Sequence, residues 1–354
     1  MSTGDADLIV VGGGPVGLAT AIEARAAGLD VLVVEPREGP IDKACGEGLM
    51  PGALAALQRL GVEPAGHALG GIAYLDARRA VEHRFGAHPG RGVRRTVLHV
   101  ALAERAADAG VRFERGRVVA VEAGPGNASV RLAGRNGAES PALDAPWVVA
   151  ADGLHSPVRR MLGLERAPQR ASHRRYGIRR HYRVEPWSDL VEVHWAGAVE
   201  AYVTPVDAHT VGVAILGPRL SDPDAALADI PRLAERLGAA EPASSSRGAG
   251  PLLQRTAART SGRVLLAGDA SGYVDALTGE GLRVGFAQAR SAVAAIVAAD
   301  PARYEREWRS ETRDFRMLTS ALVVAARSPL RDRIVPAAVR APRLFGSIVE
   351  RLAR

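Results

Sequence analysis

Cysteine, lysine and aromatic residues are scarce in this sequence. Cys45 is the only cysteine of the 354 residues, which excludes an intramolecular disulfide and argues against a cysteine-ligated metal site. Lys43 is the only lysine, so almost all of the positive charge comes from arginines, and acidic residues are interspersed among them. The formal net charge of +7 therefore does not predict nucleic-acid binding, because neither a basic face nor stacking aromatics accompany it.

Long apolar runs are missing as well. The longest, around residues 321–326, is far shorter than the ~20 residues that a membrane-spanning helix needs. Residues 1–7 are polar and do not resemble a signal peptide. We therefore expect a cytoplasmic protein without a transmembrane segment. Its core has to rely on Val, Leu and Ala, since aromatic residues make up 4% of the chain.

A glycine-rich turn joins a predicted strand at residues 7–11 to a predicted helix at residues 15–27. Gly12 permits the tight turn, and Gly14 lets the backbone approach a pyrophosphate. Gly17 allows the helix to pack closely on the sheet. This spacing is typical of a βαβ unit that binds a dinucleotide.

The remainder of the unit agrees with that interpretation. Pro15 and Val16 open the predicted helix, whose free N–H groups and partial positive charge suit phosphate. A second predicted strand at residues 31–34 ends at Glu35, eighteen residues beyond Gly17. Its carboxylate can accept both hydroxyls of an adenosine ribose, and its charge disfavours a 2′-phosphate there.

Two later segments place an aspartate at the end of a buried strand. Asp152 and Gly153 follow one predicted strand, and Gly268 and Asp269 follow another. The carboxyl ends of parallel strands form the ligand crevice of a doubly wound sheet. Each aspartate alone has a simpler explanation as the cap of the next helix. Together with the glycine turn, in this order, the segments form a much more specific pattern.

The three segments resemble those of the flavoprotein superfamily that contains the single-component aromatic hydroxylases and the geranylgeranyl reductases, where they hold FAD. The resemblance implies that Asp269 binds the ribityl chain or phosphate region of FAD. It implies that Asp152 and Gly153 lie where FAD and, in hydroxylases, NAD(P)H come close. It also implies that Arg95 contacts FAD and that the backbone of Val119 meets the adenine. The alternative for Arg95 is an ordinary arginine at a helix N-terminus.

A glycine loop at residues 279–281 resembles the corresponding loop of the reductases more than that of the hydroxylases. Gly279 and Gly281 flank Glu280, so that backbone amides can approach a planar ring, and a helix begins near Leu282. The positive end of that helix would stabilise negative charge on a reduced flavin.

The Cys45 and Gly46 pair points in the same direction, because geranylgeranyl reductases carry a Cys-Gly at the matching place. Cys45 either contacts the flavin, shapes proton delivery, or is simply a small residue in a glycine-rich loop. The segment at residues 200–205 keeps the Tyr and Pro of a prenyl-reductase signature, as Tyr202 and Pro205, and lacks its Trp and Phe. Cys45 and Tyr202 are the tentative catalytic candidates.

The order of elements predicts an α/β fold, with a FAD-binding Rossmann-like doubly wound domain, an antiparallel β-rich substrate domain and a helical C-terminus. The predicted parts are a discontinuous FAD-binding domain at residues 1–70, 91–165 and 251–300, a substrate domain at residues 71–90 and 166–250, and C-terminal helices at residues 301–354. Within them we expect a helix at residues 98–109, a hairpin at residues 123–144, a long helix at residues 222–237, a linker at residues 242–251, and helix breaks at Pro329, Pro336 and Pro342.

For function, we favour a FAD-dependent monooxygenase that acts on a small aromatic or polyketide-like metabolite through reduced flavin and O2, with NAD(P)H as the transient electron donor. The short chain and the missing Trp and Phe favour it. The alternative is a geranylgeranyl-reductase-like ene-reductase that passes a hydride to a substrate double bond. A non-catalytic FAD-binding protein is a third hypothesis, disfavoured by the glycines expected beside the flavin ring.

The partner is then a small hydrophobic or aromatic substrate. We expect its pocket between the flavin loops and a set of β-domain side chains, namely Tyr74, His194, Trp195, Tyr202 and Thr204. The arginine-rich residues 174–183 either bind a phosphate or acidic partner or form a solvated strand. The amphipathic residues 344–352 either pack on the substrate domain or contact a membrane surface.

Overall fold

The structure, a computed structural model, describes residues 6–134, 139–167, 174–218, 220 and 222–353. The strands are β1 (Leu8–Val11), β2 (Val31–Glu35), β3 (Gly48–Leu49), β4 (His67–Leu69), β5 (Gly71–Leu75), β6 (Ala80–Arg84), β7 (Gly90–Gly92), β8 (Arg112–Arg115), β9 (Val118–Ala123), β10 (Ala128–Ala133), β11 (Glu139–Ala145), β12 (Trp147–Ala150), β13 (Tyr176–Arg183), β14 (Leu190–Ala196), β15 (Val199–Asp207), β16 (Thr210–Gly217), β17 (Arg247–Ala249), β18 (Thr260–Ser261) and β19 (Val264–Leu266). The helices are α1 (Pro15–Ala26), α2 (Pro51–Arg59), α3 (Arg95–Asp108), α4 (Pro157–Met161), α5 (Pro223–Ala228), α6 (Pro231–Leu237), α7 (Gly281–Val297), α8 (Pro301–Ala326), α9 (Ile334–Arg340) and α10 (Pro342–Ala353), with 3-10 turns at Gly268–Ser271 and Arg331–Arg333.

A six-stranded sheet in the order β18-β19-β12-β1-β2-β8 forms the first layer. All of its neighbours pair in parallel except β18 with β19. Strands β1, β12 and β19 are continuous buried apolar runs, as expected of a parallel sheet covered on both faces. Helices α1, α3 and α7 cover one face, and the antiparallel strands β9, β10 and β11 cover the other.

The second large sheet has seven strands in the order β17-β13-β16-β15-β14-β5-β6 and is antiparallel except between β14 and β5. Side chains alternate between its faces, as the two-residue period of a strand requires. Ala201 and Val203 pack under α5 and α6, whereas Tyr202 between them faces the end of α8 and the residues after β19. The predicted α/β fold, with a doubly wound sheet, an antiparallel β-rich part and C-terminal helices, is confirmed.

The predictions for residues 222–237 and 242–251 are wrong. The long helix expected at residues 222–237 is two short helices, α5 and α6, because Pro231 has no N–H to continue α5 and instead opens α6. The linker expected at residues 242–251 contains strand β17, whose residues pair with β13. Its Pro, Ser and Gly content masked an edge strand that depends on a distant partner.

The remaining boundaries follow proline chemistry and capping. Helix α3 begins at Arg95, before the predicted residue 98. Pro342 opens α10 as predicted, but the break predicted at Pro336 is wrong, because Pro336 lies inside the first turn of α9, where a missing N–H costs nothing. Strands β10 and β11 pair antiparallel as the predicted hairpin, whose Asn136-Gly137 turn lies outside the described residues. Within the described ranges, no helix combines the length and the apolar character that crossing a membrane requires.

Candidate functional site

The glycines of the turn differ in what surrounds them: Gly12 and Gly17 are packed closely against backbone, whereas Gly14 is not. Gly12 has φ +105°, and a Cβ there would lie 2.6 Å from the Ala151 carbonyl oxygen. A Cβ on Gly17 would lie 1.9 Å from the Gly12 oxygen. Gly14, the N-cap of α1, would place a Cβ no nearer than 4.0 Å to any neighbour, the Arg95 Nη2 atom. Packing therefore requires glycine at residues 12 and 17, whereas Gly14 faces open space beside a cation.

Glu35, at the end of β2, is held to this turn. Its carboxylate accepts a hydrogen bond from the Gly13 N–H at 2.9 Å and from the Arg37 Nε at 2.7 Å. Burial raises the pKa of Glu35, but the bonds from Arg37 and Gly13 outweigh it and leave the pKa lowered. The group is thus an anionic acceptor fixed at the carboxyl end of the sheet, where the ribose role was predicted.

Asp152 combines the two roles that the sequence left open. Its Oδ2 accepts the Val158 N–H at 3.0 Å and so supports the start of α4, whose N-cap is Ser156. Its Oδ1 is buried and has no hydrogen-bond partner in the described part of the chain. Burial raises the pKa of Asp152, opposed by the hydrogen bond from Ser156. One oxygen caps a helix, and the other remains to meet a ligand.

Asp269 lies in the segment that follows β19 and is close to several cationic side chains. Burial raises its pKa, and the nearby charges of Lys43, Arg95 and Arg159 oppose the rise. A Cβ at Gly153 would lie 3.1 Å from the Lys43 Nζ, so Lys43 reaches both aspartate segments. Sequence reasoning missed Lys43 as a site residue. The available signal was that the only lysine of an arginine-rich chain stands two residues before Cys45.

Arg159 joins the two aspartate segments from behind. Its guanidinium is fully buried and donates to the carbonyl oxygens of Ala270 at 3.1 Å and Leu154 at 3.0 Å. It also donates to the Gln254 Oε1 at 3.1 Å. These bonds fix the distance between the loops that follow β12 and β19.

The Cys45 loop connects the two large sheets at the site. The Cys45 Sγ accepts the Glu47 N–H at 3.4 Å, and the Gly46 carbonyl accepts the Thr204 hydroxyl of β15 at 2.8 Å. Glu47 is buried with φ +60°, a conformation that favours glycine, and its Oε2 lies 2.6 Å from the His181 Nε2. A buried pair from a distant strand therefore holds this loop in place.

Glu47 also binds the start of α3, since its Oε1 accepts the Arg95 N–H at 2.8 Å. The Arg95 Nε is buried without a hydrogen-bond partner among the described residues. Burial raises the pKa of the Tyr273 hydroxyl well above its ordinary value, and the charges of Asp269, Asp275 and Cys45 act in the same direction. Cys45 and Asp269 therefore both lie near Tyr273, and their contacts with a flavin stay a prediction.

The Gly279–Gly281 loop lies where two helices begin close together. Gly279 has φ +71°, and α7 starts at Gly281. A Cβ on Gly285 of α7 would lie 2.4 Å from a Val16 methyl group of α1. Leu282 packs against the core between these helices. The close approach aims both positive helix ends at the same crevice.

Glu280, inside that loop, predicts a pH-dependent stability. Burial raises its pKa to about 7, only partly opposed by Arg283, and its Oε1 has no partner among the described residues. A carboxyl group whose pKa is higher in the folded than in the unfolded state contributes fully to folding stability at a pH below its unfolded-state pKa. That contribution to the free energy of unfolding is lost as the pH rises through 7.

We expect Glu280→Gln to reduce the fall in unfolding free energy between pH 5 and pH 8 by about 2 kcal/mol. Denaturant titrations of the variant and the wild type across this range measure the difference. Glu104→Gln, at an exposed position of α3, is the control. Identical pH profiles of Glu280→Gln and the wild type would contradict the expectation.

The face of the seven-stranded sheet beside these loops is aromatic and apolar. Tyr202 is buried and donates its hydroxyl to the Leu277 carbonyl at 2.7 Å. The Tyr74 and Trp195 rings have centroids 5.6 Å apart within the same cluster. His194 points elsewhere, since its Nε2 pairs with Glu192 at 2.9 Å. Of the predicted pocket side chains, Tyr74, Trp195 and Tyr202 therefore share one cluster, whereas His194 and Thr204 have their polar contacts elsewhere.

Buried ion pairs join the seven-stranded sheet to the loop that contains Asp275 and Leu277. Arg175 donates to Asp275 at 2.9 Å and to Glu200 at 2.7 Å, all three buried. Arg179 is likewise buried and paired with Asp42. The interpretation of residues 174–183 as a solvated strand is wrong for both arginines, because distant carboxylates fold onto them. Val119, on β9, lies in the layer behind the first sheet, and its adenine contact stays a prediction.

The donor set fits FAD. Space beside Gly14 for a pyrophosphate, the unpartnered Arg95 Nε and the unpartnered Asp152 Oδ1 lie along one crevice with Asp269. In this arrangement Glu35, Gly14, Arg95, Asp152 and Asp269 would hold the cofactor from ribose to ribityl chain.

Comparisons with known proteins agree with the assignment of FAD as the cofactor. A menaquinone reductase of Mycobacterium tuberculosis is 35% identical over 176 residues, 46% of this chain and 41% of that protein. Digeranylgeranylglycerophospholipid reductase 1 of Methanopyrus kandleri is 30% identical over 348 residues, 87% of each chain. A rifampicin monooxygenase of Rhodococcus hoagii is 30% identical over 163 residues, 44% of this chain and 33% of that protein. The chain thus spans less than half of the menaquinone reductase and of the rifampicin monooxygenase.

The fold is shared with solved flavoenzymes. The structure of a p-nitrophenol 4-monooxygenase from Pseudomonas putida DLL-E4 superposes with a TM-score of 0.79 at 19% identity, covering 98% of this chain and 94% of that one. The model of the FAD binding domain family matches residues 5–301. The chain belongs to this family of FAD-binding, flavin-dependent oxidoreductases.

Proposed function

We propose that this flavoprotein is a monooxygenase that hydroxylates a small aromatic or polyketide-like metabolite with O2, using electrons from NAD(P)H. The observation that carries the proposal is the aromatic face of the seven-stranded sheet, which meets the flavin segments where Tyr202 bonds Leu277. When bound, FAD supplies a ring that accepts a hydride and, once reduced, reacts with O2. The chain's own residues bind the substrate ring, exclude water and fix the flavin segments.

The aromatic face suits a ring-shaped substrate. Tyr74 contacts Trp195 and also Phe345 of α10, with tilted rings and centroids 5.6 and 5.0 Å apart. Tilted and offset ring contacts favour a further aromatic ring in the same cluster. The Tyr202 hydroxyl already donates a hydrogen bond to the Leu277 carbonyl, so this residue presents its ring rather than a free polar group.

The polar groups of the site hold loops rather than substrate. Thr204 fixes Gly46, and the Glu47–His181 pair fixes the Cys45 loop from below. Arg175 and its two carboxylates fix the segment that contains Leu277. The loops that would flank a flavin ring are therefore positioned before any ligand binds, which favours catalysis in a water-excluded crevice.

A test mixes the purified, FAD-loaded protein with NADH or NADPH in air and follows flavin bleaching, oxygen use and peroxide release with a panel of phenols. We expect at least one phenol to raise oxygen use beyond peroxide release. The Asp269→Ala variant is the matched control, since it should lack FAD. Slow reoxidation of the reduced flavin by air, with rapid discharge by an alkene, would overturn the proposal.

The second candidate is an ene-reductase that passes a hydride to a substrate double bond. Two observations favour it: the Cys45 loop lies at the site beside Tyr273, and the Methanopyrus kandleri reductase matches over 87% of each chain. In this function the apolar cluster would accept an isoprenoid chain. The alkene arm of the same experiment decides between the two candidates.

Two further expectations stay part of the proposal. One is the division into a discontinuous FAD-binding domain, a substrate domain and C-terminal helices. The other is a peripheral membrane contact through the C-terminal helices, where Met317, Val324, Leu344 and Ile348 are exposed. Such side chains beside arginines favour the edge of a bilayer as the source of an apolar substrate.

A further inference from the structure

A cavity of about 410 Å³ lies outside the crevice described above. Four of its lining residues are arginines that come from three separate parts of the chain, namely Arg166, Arg255, Arg259 and Arg316. Ala167, Gln254, Thr256 and Gly272 complete the lining. No carboxylate of the described residues is among them, so the cavity has one sign of charge.

Two of these guanidinium groups are held in place by a tryptophan. The guanidinium carbons of Arg259 and Arg316 lie 3.8 and 5.2 Å from the centroid of the Trp308 ring. Glu305 pairs with Arg259 at 3.7 Å, yet the buried Arg259 Nε has no hydrogen-bond partner in the described part of the chain. A fixed, partly unsatisfied donor is a feature of an anion site rather than of a solvated surface.

The other cations lack counter-charges. Arg166, Arg255 and Arg316 form no ion pair with any described residue, although 27 such pairs occur in that part of the chain. Burial lowers the pKa of Arg316, and the charge of Arg255 lowers it further. Burial also lowers the pKa of Arg259, opposed by Glu305 and reinforced by Arg316. Crowded like charges of this kind are relieved by a bound anion.

We propose that this cavity binds the phosphate group of a small molecule. Guanidinium groups that converge from several directions match the several oxygens of a phosphate and bind it with paired hydrogen bonds. Neither the glycine turn nor Asp152 or Asp269 lines this cavity, so this site is separate from the one that would hold FAD. The proposal goes beyond the proposed reaction and does not depend on it.

The location gives such a ligand access to the flavin segment. Gly272 ends the 3-10 turn that contains Asp269, and a Cβ there would lie 3.9 Å from the Arg316 Nη1. The next residue, Tyr273, exchanges two backbone hydrogen bonds with Gln254 of the cavity wall, at 2.9 and 3.0 Å. A phosphate held here would contact the rear of the segment whose front faces the crevice.

The test titrates pyrophosphate into the FAD-loaded protein at constant ionic strength and follows binding by calorimetry. We expect saturable binding that weakens by about tenfold in Arg255→Gln and in Arg166→Gln, each of which removes one charge-assisted contact. Both residues are exposed, so these variants should fold normally. Arg313→Gln, an exposed arginine one turn before Arg316 on α8, is the matched control and should bind as the wild type does.

Competition then identifies the source of the phosphate. Displacement of pyrophosphate by NADPH but not by NADH supports the proposal with a nucleotide 2′-phosphate as the group. Displacement by a short-chain phosphatidic acid supports it with a lipid headgroup. If neither NADPH nor the phosphatidic acid displaces pyrophosphate, the proposal is overturned and the cavity binds an adventitious ion only. No saturable binding, or equal binding by Arg255→Gln and the wild type, overturns it as well.

Discussion

Asp269→Ala is expected to lose FAD while the chain stays folded. The Asp269 carboxylate lies among the charges of Lys43, Arg95 and Arg159, and no described residue donates a hydrogen bond to its oxygens. Those oxygens are therefore free for the hydroxyls of the ribityl chain. Loss of two charge-assisted hydrogen bonds, at about 1.5–3 kcal/mol each, predicts a fall in FAD affinity of roughly a hundredfold or more.

Flavin absorbance of the purified variant and a titration of its apoprotein with FAD measure this effect. Asp108→Ala, at the exposed end of α3, is the control and should remain fully yellow. Asp269→Asn keeps the shape and removes the charge, so it should retain part of the affinity if the contact is a hydrogen bond. A full complement of FAD in Asp269→Ala would contradict the placement of the cofactor.

Gly17→Ala and Gly14→Ala are expected to fail in opposite ways. A methyl group on Gly17 would lie 1.9 Å from the Gly12 oxygen, so the turn has to shift. We expect the apoprotein to lose about 3 kcal/mol of unfolding free energy, as overpacked sites do. A methyl group on Gly14 meets nothing nearer than 4.0 Å, so the apoprotein should keep its stability. It should nevertheless bind FAD weakly, because the methyl group fills the space for the pyrophosphate.

Denaturant unfolding of the two apoproteins and FAD titration of each separate these effects, with the wild type as reference. The turn then has one glycine for packing and one for the ligand. Normal FAD binding by Gly14→Ala, or an unchanged stability of Gly17→Ala, would contradict that division.

The parts of the site that the sequence predicted are those where local geometry determines residue type. Gly12 needs φ +105°, and Gly17 needs a missing side chain, so both positions are visible from spacing alone. The strands before Asp152 and Asp269 are continuous apolar runs, which a buried parallel sheet requires.

The parts that it did not predict depend on partners far away in the chain. Glu47 resembles any residue of a glycine-rich loop until His181 is found beside it. Arg175 resembles an exposed strand residue until Glu200 and Asp275 fold onto it. These pairs are separated by 25 to 134 residues, and such long-range pairing leaves no local pattern in the sequence. For the same reason, neither the carboxylates that pair with the arginine-rich strand nor the arginine cavity could be predicted from it.

The function that we propose transfers one oxygen atom of O2 to an aromatic ring. The most direct measurement incubates the FAD-loaded protein, NADPH and the phenol that best stimulates oxygen use under oxygen-18 gas, and determines the product mass. We predict a product that carries one labelled oxygen and forms only when the flavin is reduced. Unchanged, unlabelled phenol, with all of the consumed oxygen recovered as hydrogen peroxide, would contradict it.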